Sequence, residues 1–177
     1  NSPLWWVVRL STRIYKRRPL LRRVLAYYDG DHPLEFTSEE FRNAFGGLFD
    51  ALAENWCRLV PEVVEERLNI EGFRVGEDQK ADSAAWEMWQ RNEMDAQSSI
   101  AHLDALICGG TFATAWYGPG GEPEFTIEHP LTAEVETHPK RRRERRAGLR
   151  TWRDEDGFDH AELFLPDGVW AFVSENK

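Results

Sequence analysis

The chain has 177 residues, is 41% hydrophobic, and holds eight Trp and ten Phe, which is enough apolar material to exclude global disorder. Its length fits one domain or one and a half. With 22 Lys and Arg against 31 Asp and Glu the net charge is −9, and a uniformly acidic protein would be a poor ligand for DNA, because phosphate binding is electrostatic.

Leu4 to Lys16 has helical spacing, with Leu4, Val7, Val8 and Ile14 predicted to share one face. Pro19 suits the first turn of a new helix, predicted from Pro19 to about Tyr28 and ended at Asp29-Gly30-Asp31. Thr37 and Glu40 form a capping box, followed by Phe41, Phe45, Leu48, Phe49 and Leu52 at helical spacing. A further helix is expected from Asn55 to Leu68, started or bent at Pro61. Ile70, Phe73 and Val75 suit a short strand around Gly72. Ala81 to Asn92 reads as helix, begun at Asp82 or Ser83. Asp95 to Cys108 reads as the next, with Ile100, Leu103, Leu106 and Ile107 inward and Gly109-Gly110 as its end. Strands follow: Phe112 to Tyr117, Phe125 to Ile127, Ala133 to Thr137, Leu149 to Arg153, Ala161 to Leu165 and Val169 to Val173. Turns are expected at Gly118 to Gly121 and at Pro166-Asp167-Gly168. Helices first and strands after argue for an α+β fold with a mainly antiparallel sheet.

Charge is uneven along the chain. Residues 1–30 hold seven basic side chains and one acid, as do residues 138–150. The remainder holds 29 acids and eight bases. Such asymmetry fits a surface that meets different partners on different sides, or simply solvated faces. Cys57 and Cys108 make neither a disulfide framework nor a zinc pattern, and read as buried, reduced thiols in a cytosolic protein. No apolar run reaches the roughly 18–20 residues that span a bilayer. The apolar start precedes the bases, the reverse of a signal peptide. The chain begins without Met and stops after a strand-like run, and it reads as a fragment of a longer protein.

Motifs for catalysis and cofactors are weak. Gly118-Pro119-Gly120-Gly121 lies between strands, where a phosphate-binding loop needs a helix N-terminus. His32, His102, His129, His138 and His160 lack metal-ligand spacing. The serines lack a nucleophile-elbow context. Glu65-Glu66 and Asp154-Glu155-Asp156 are consecutive acids, which suit a solvated face better than acid–base work in a cleft. No cofactor or metal is therefore expected. The sharpest charge feature is Lys140, Arg141, Arg142, Arg143, Arg145 and Arg146, expected on an exposed loop and suited to phosphate or carboxylate contacts. Arg17, Arg18, Arg22 and Arg23 form a second basic group on helices, able to meet nucleic acid, an acidic neighbour or water.

Several groups then align in order: Tyr27-Tyr28-Asp29-Gly30, His32-Pro33-Leu34, Phe41-Arg42, Asn55-Trp56-Cys57, Glu66-Arg67-Leu68, Gly72-Phe73-Arg74, Trp89-Gln90-Arg91-Asn92, Asp95, Gly109-Gly110, Pro130, the basic run, Leu149, Trp152 and Ala161 to Asp167. Their order over residues 27–173 resembles the N-terminal region of tailed-bacteriophage portal proteins, the head–tail connectors, particularly those of phages with actinobacterial hosts. The resemblance implies a structural, non-catalytic subunit in a ring of twelve copies at one capsid vertex. Double-stranded DNA enters and leaves through such a ring. The terminase motor, the capsid protein and head completion proteins are its implied partners. It implies location in the virion after assembly in the host bacterial cytoplasm, with no membrane. The implied layout is a basic helical segment at 1–30, the helical part of a wing-like domain at 31–110, and its β-rich part at 111–177, cut short at the C-terminus. Two alternatives stand beside this: a nucleic-acid-binding module using the 140–146 loop, and a small enzyme with residues gathered from distant positions.

Overall fold

A computed structural model of the chain describes residues 2–31, 38–40, 43–44, 55–74, 76 and 81–174. Four helices are bounded among the described residues and precede the strands: α1 (Pro3–Asp29), α2 (Trp56–Glu65), α3 (Ser83–Arg91) and α4 (Met94–Cys108). Six strands follow: β1 (Phe112–Tyr117), β2 (Pro123–Glu128), β3 (Ala133–Thr137), β4 (Arg145–Arg153), β5 (Asp159–Leu165) and β6 (Gly168–Val173). The fold is α+β. The strands form two antiparallel sheets, a β1–β2 hairpin and a four-stranded meander in the order β3-β4-β5-β6. The Thr37–Glu40 capping box and the Phe41 to Leu52 repeat fall on residues outside those described, although Glu39, Glu40, Asn43 and Ala44 are helical.

The two helices expected before Gly30 are one. Helix α1 runs unbroken through Pro19. A proline there removes the bond to the carbonyl four residues back, that of Tyr15. Tyr15 and Pro19 are both exposed, so the freed carbonyl lies on the water side and the helix survives. Pro19→Ala restores the donor. It is expected to raise stability by about 1–2 kcal/mol, the propensity gain discounted for a helix already adjusted to proline. Urea unfolding of the two chains measures this, and an unchanged midpoint would mean the break has no energetic consequence.

The buried face of α1 also differs from the expected one. Leu4 and Val8 are 62% and 60% exposed. The buried line is Trp6, Leu10, Ile14 and Leu21, recurring at four, four and seven. Three of these four meet Ala147, Leu149 and Leu163 of the meander to form the core, with Ala161, Leu165 and Phe172 at its margin. Alternation along the strands explains the choice: Ala147 and Leu149 share one face of β4, and Leu149 stands opposite Leu163 on β5. On the other face Arg150 bonds Glu162 across the ladder and Glu128 of β2, which ties the hairpin to the meander.

Local motifs have plain structural roles. Asn55 caps α2 by accepting from the Arg58 amide, and its side-chain amide donates to the Tyr28 carbonyl at the end of α1. Gly30 adopts φ 80° beside it, and a Cβ there would stand 3.2 Å from the Asn55 amide nitrogen. Helix α2 starts at Trp56 rather than Pro61 and ends at Glu65, short of the expected Leu68. Pro61 is tolerated because the carbonyl it leaves unbonded is that of exposed Cys57. Asp82 caps α3 through the Ala85 amide. Residues 70–74 form no strand, and Val75 lies outside the described residues. Asn92 closes the α3–α4 corner, donating to the carbonyls of Met88 and Pro123 and accepting from the Phe125 amide of β2. Asp95 accepts from Trp89 Nε1 at 2.7 Å and from Gln90 at 2.9 Å, while Arg91 pairs with Glu122. The Trp89 to Asn92 motif is therefore a fastening between helix and hairpin. On α4, Ile100 and Leu106 are more exposed than their spacing predicted, at 51% and 41%.

Candidate interaction surface

Arg9, Arg13 and Arg17 recur every four residues and lie along one line of α1. Glu134 and Glu136 alternate with apolar residues on β3 and point to one side. The two rows meet. Arg9 reaches Glu136 at 3.3 Å, Arg13 pairs with Glu136, and Arg17 pairs with Glu134 at 2.8 Å. Arg17 also donates to the carbonyls of Pro130 at 2.6 Å and Ala133 at 2.8 Å, and its guanidinium lies over the Phe112 ring. Arg18 donates to the Leu131 carbonyl. Arg17 and Arg18 thus hold the fold together, Arg17 with an acidic partner inside its own chain and Arg18 with a backbone carbonyl. Arg22 and Arg23 are exposed. The sequence signal for this pairing was present: bases at spacing four and acids at spacing two.

The second basic group divides in the same way. The expected loop is shorter than predicted, because Arg145 and Arg146 open strand β4. Arg146 lies over the Trp6 ring, 5.5 Å from its centroid. Arg145 donates to the carbonyls of Arg142 and Arg143. Arg141 pairs with Glu144. The imidazole of His138 accepts from the amides of Lys140 and Arg141 through Nδ1. The His138 amide donates to the Glu144 carbonyl at 2.9 Å. These bonds fix the loop and leave Lys140, Arg142 and Arg143 exposed at its tip. A cationic tip held this way loses little entropy on binding. The fold does not unite the two basic groups. Arg146 sits at Trp6, and Arg22 is sixteen residues further on, roughly 24 Å along the axis.

Titratable groups elsewhere are structural. Burial raises the Asp104 carboxyl, opposed by His129, whose Nε2 lies 3.7 Å away. The bond from His160 holds Asp154 below its usual range, and the amides of Phe158 and Gly157 help. Cys108 is half-buried, and burial, then Asp104, pushes its thiol up. Cys57, expected to be buried, is exposed on α2. Among the described residues no three His, Cys, Asp or Glu side chains gather as for a metal, and no helix is long and apolar enough to cross a membrane.

Exposed apolar side chains are the feature that the periodicity analysis missed. Trp56, Leu59 and Val63 form an outward stripe on α2, with Trp56 65% exposed. The opposite side of that helix is apolar too, since Val60, Pro61 and Val64 face Tyr27, Tyr28 and Ile107 across a cleft of about 330 Å³. A helix apolar on several sides is one that gets covered. Leu4, Trp5 and Val8 are exposed at the start of α1. Between α1 and the meander runs an open groove of about 900 Å³, walled by Leu4, Tyr15, Trp152 and Phe172. Such a surface suits association more than the binding of a small molecule.

Comparison with known proteins agrees with that geometry. Residues 10–177 match the family model described as phage portal protein, SPP1 Gp6-like. The portal protein of Mycobacterium phage L5 is 30% identical, over 64% of this chain and 27% of its own length. The portal protein of Mycobacterium phage D29 is 28% identical, over 65% of this chain and 26% of its own length. The chain thus spans about a quarter of the length of the curated relatives it matches. A match that runs from the basic face of α1 through every strand of the meander covers nearly all of the chain, and places it in the family of SPP1 Gp6-like phage portal proteins.

Proposed function

We propose that this chain is the wing-like part of a portal subunit: a structural piece of the ring at one capsid vertex through which double-stranded DNA is packaged and ejected. In this reading copies of the subunit, twelve in number, stand side by side in the ring. The ring receives the terminase motor, and the capsid protein and head completion proteins surround it. The protein assembles in the bacterial cytoplasm and ends in the virion. It makes and breaks no bond. The basic segment 1–30, the helices to residue 110 and the strands beyond form one working unit. The family match over residues 10–177 carries the proposal. The fixed cationic loop and the exposed apolar stripes support it, because both are features of a part meant to be covered.

The test is the position of the chain in the particle. Antibody raised against it, applied to virions produced from the genome that encodes it, is expected to label one vertex, where head meets tail. Label spread over the capsid, or its absence from opened particles, would overturn the reading.

A further inference from the structure

One wall of the groove beside the meander is a single stripe of α1: Leu4, Val7, Ser11, Ile14, Arg18 and Arg22. The steps are three, four, three, four and four, the spacing at which one helix receives the side chains of another. From Leu4 to Arg22 the stripe is roughly 27 Å long, about five turns. The opposite wall is made by the strand ends, with Trp152, Phe172 and Val173. Tyr15 beside the stripe is 73% exposed, and Val173 across from it is 58% exposed. The stripe is free of charge from Leu4 to Ile14 and cationic at Arg18 and Arg22. Arg153 on the far wall is matched by Asp159, and His160 by Asp154. Arg18 donates to the Leu131 carbonyl and meets no carboxylate among the described residues. Arg22 has no ion pair there either. Helix α1 carries no acid before Asp29, and the exposed Glu155 and Asp156 stand in the turn after β4 without lining the groove.

We propose that this groove seats a helix from the rest of the portal subunit, C-terminal to residue 177, laid along α1 with a carboxylate toward Arg18 and Arg22. This rests on the reading of the chain as the wing-like part of a portal subunit. The chain spans about a quarter of the length of the curated relatives it matches, so in that reading most of the subunit is tethered to this groove. A tethered segment meets its site at an effective concentration of about millimolar, which gives it precedence over a separate protein. The occupant is a helix and not a strand. A strand laid against α1 would meet side chains and no backbone partners, whereas a helix satisfies its own backbone bonds. The apolar part of the stripe supplies affinity, and the two arginines set the direction in which the helix lies.

Photocrosslinking from within the groove tests it. Tyr15, exposed on the groove wall, is replaced by the photoreactive residue p-benzoylphenylalanine in the full-length subunit from the genome that encodes the chain. Isotope-light and isotope-heavy subunits are assembled together, so mass spectrometry separates links within a subunit from links between copies. The expected product joins this position to a helical segment after residue 177 of the same subunit, with a carboxylate within a few residues of the link. Arg22→Glu should lower its yield by about fivefold or more, because it sets like charges against each other. Arg23→Glu, which does not line the groove, should leave the yield within about twofold. Both arginines are exposed, so both variants keep the fold. Absence of a link, a link between copies, a link back into residues 1–177 or a linked segment without a carboxylate would each overturn the proposal. So would a yield that Arg22→Glu lowers no more than Arg23→Glu. Any of these would leave single-vertex labelling intact, so failure of this contact is separable from failure of the portal reading.

Discussion

Truncating Leu10 to alanine is expected to destabilise the chain by about 3–4 kcal/mol, the range for a fully buried leucine whose site cannot collapse. Leu10 is wholly buried, at the centre of the line Trp6, Leu10, Ile14 along α1. It packs between that helix and the β4–β5 pair, where Leu149 stands opposite Leu163. Both walls are regular structure, so neither can move in to fill the space without breaking a ladder or a helix. The described core is also small: nine buried hydrophobic residues carry it, so one lost leucine is a large share of the whole. Native domains have only about 5–15 kcal/mol in reserve. Leu20 is the control, since it lies on the same helix and is 62% exposed. Leu20→Ala should change stability by no more than about 0.5 kcal/mol. Urea unfolding followed by tryptophan fluorescence distinguishes them. Equal midpoints for the two variants would mean that α1 is not what closes the core.

That contrast also marks how much of the fold could be read from residue order. The strands after residue 110 were legible because local chemistry sets most of their bounds, although β4 opens at Arg145 rather than Leu149 and residues 70–74 form no strand. Gly118 to Gly121 and Pro166 to Gly168 turn the chain, and β-branched and aromatic residues fill the runs between. The caps at Asp82 and Gly109 were legible for the same reason. Prolines misled at Pro19 and Pro61, because the cost of a proline depends on whether the carbonyl it orphans can reach water, and that is a tertiary fact. The buried face of α1 misled because its tryptophan and leucine line competes with an equally apolar line through Leu4 and Val8. Only the position of the meander decides between them.

The basic residues follow the same logic. Charge density announced them, but charge density does not say which cations are already matched. Arg9, Arg13 and Arg17 on α1 find Glu134 and Glu136 on β3, Arg145 fastens its own loop, and Arg146 lies over Trp6. Among the described residues the exposed cations without an ion pair include Lys140, Arg142 and Arg143 on the loop, Lys16, Arg22 and Arg23 on α1, and Arg67 and Arg74 beyond α2. The acidic majority of the chain is correspondingly uneven. Glu128, Glu134, Glu136, Asp159 and Glu162 on the strands are matched within the fold, as is Glu62 on α2, while Asp29, Asp31, Glu66 and Glu71 are exposed.

Replacing Arg17 with alanine should be nearly as damaging as the loss of Leu10, at about 3 kcal/mol, the cost of leaving buried acceptors and a partner charge unmatched. Its guanidinium spans α1 and the approach to β3, bonding the carbonyls of Pro130 and Ala133 and the carboxylate of Glu134. Pro130 and Ala133 are buried, so water cannot replace the lost donor easily. Glu134 keeps only 13% of its side chain exposed and would be left without that cation. Lysine retains the charge but not the planar fork, so Arg17→Lys should recover roughly half of the loss. Arg142→Ala, on the loop tip, should leave stability within about 0.5 kcal/mol, because nothing in the fold leans on its side chain. The ordering Arg17→Ala, then Arg17→Lys, then Arg142→Ala in urea midpoint is the expected result. If Arg17→Ala were as mild as Arg142→Ala, the bonds of Arg17 would be dispensable, and its cation would return to the set free for a partner.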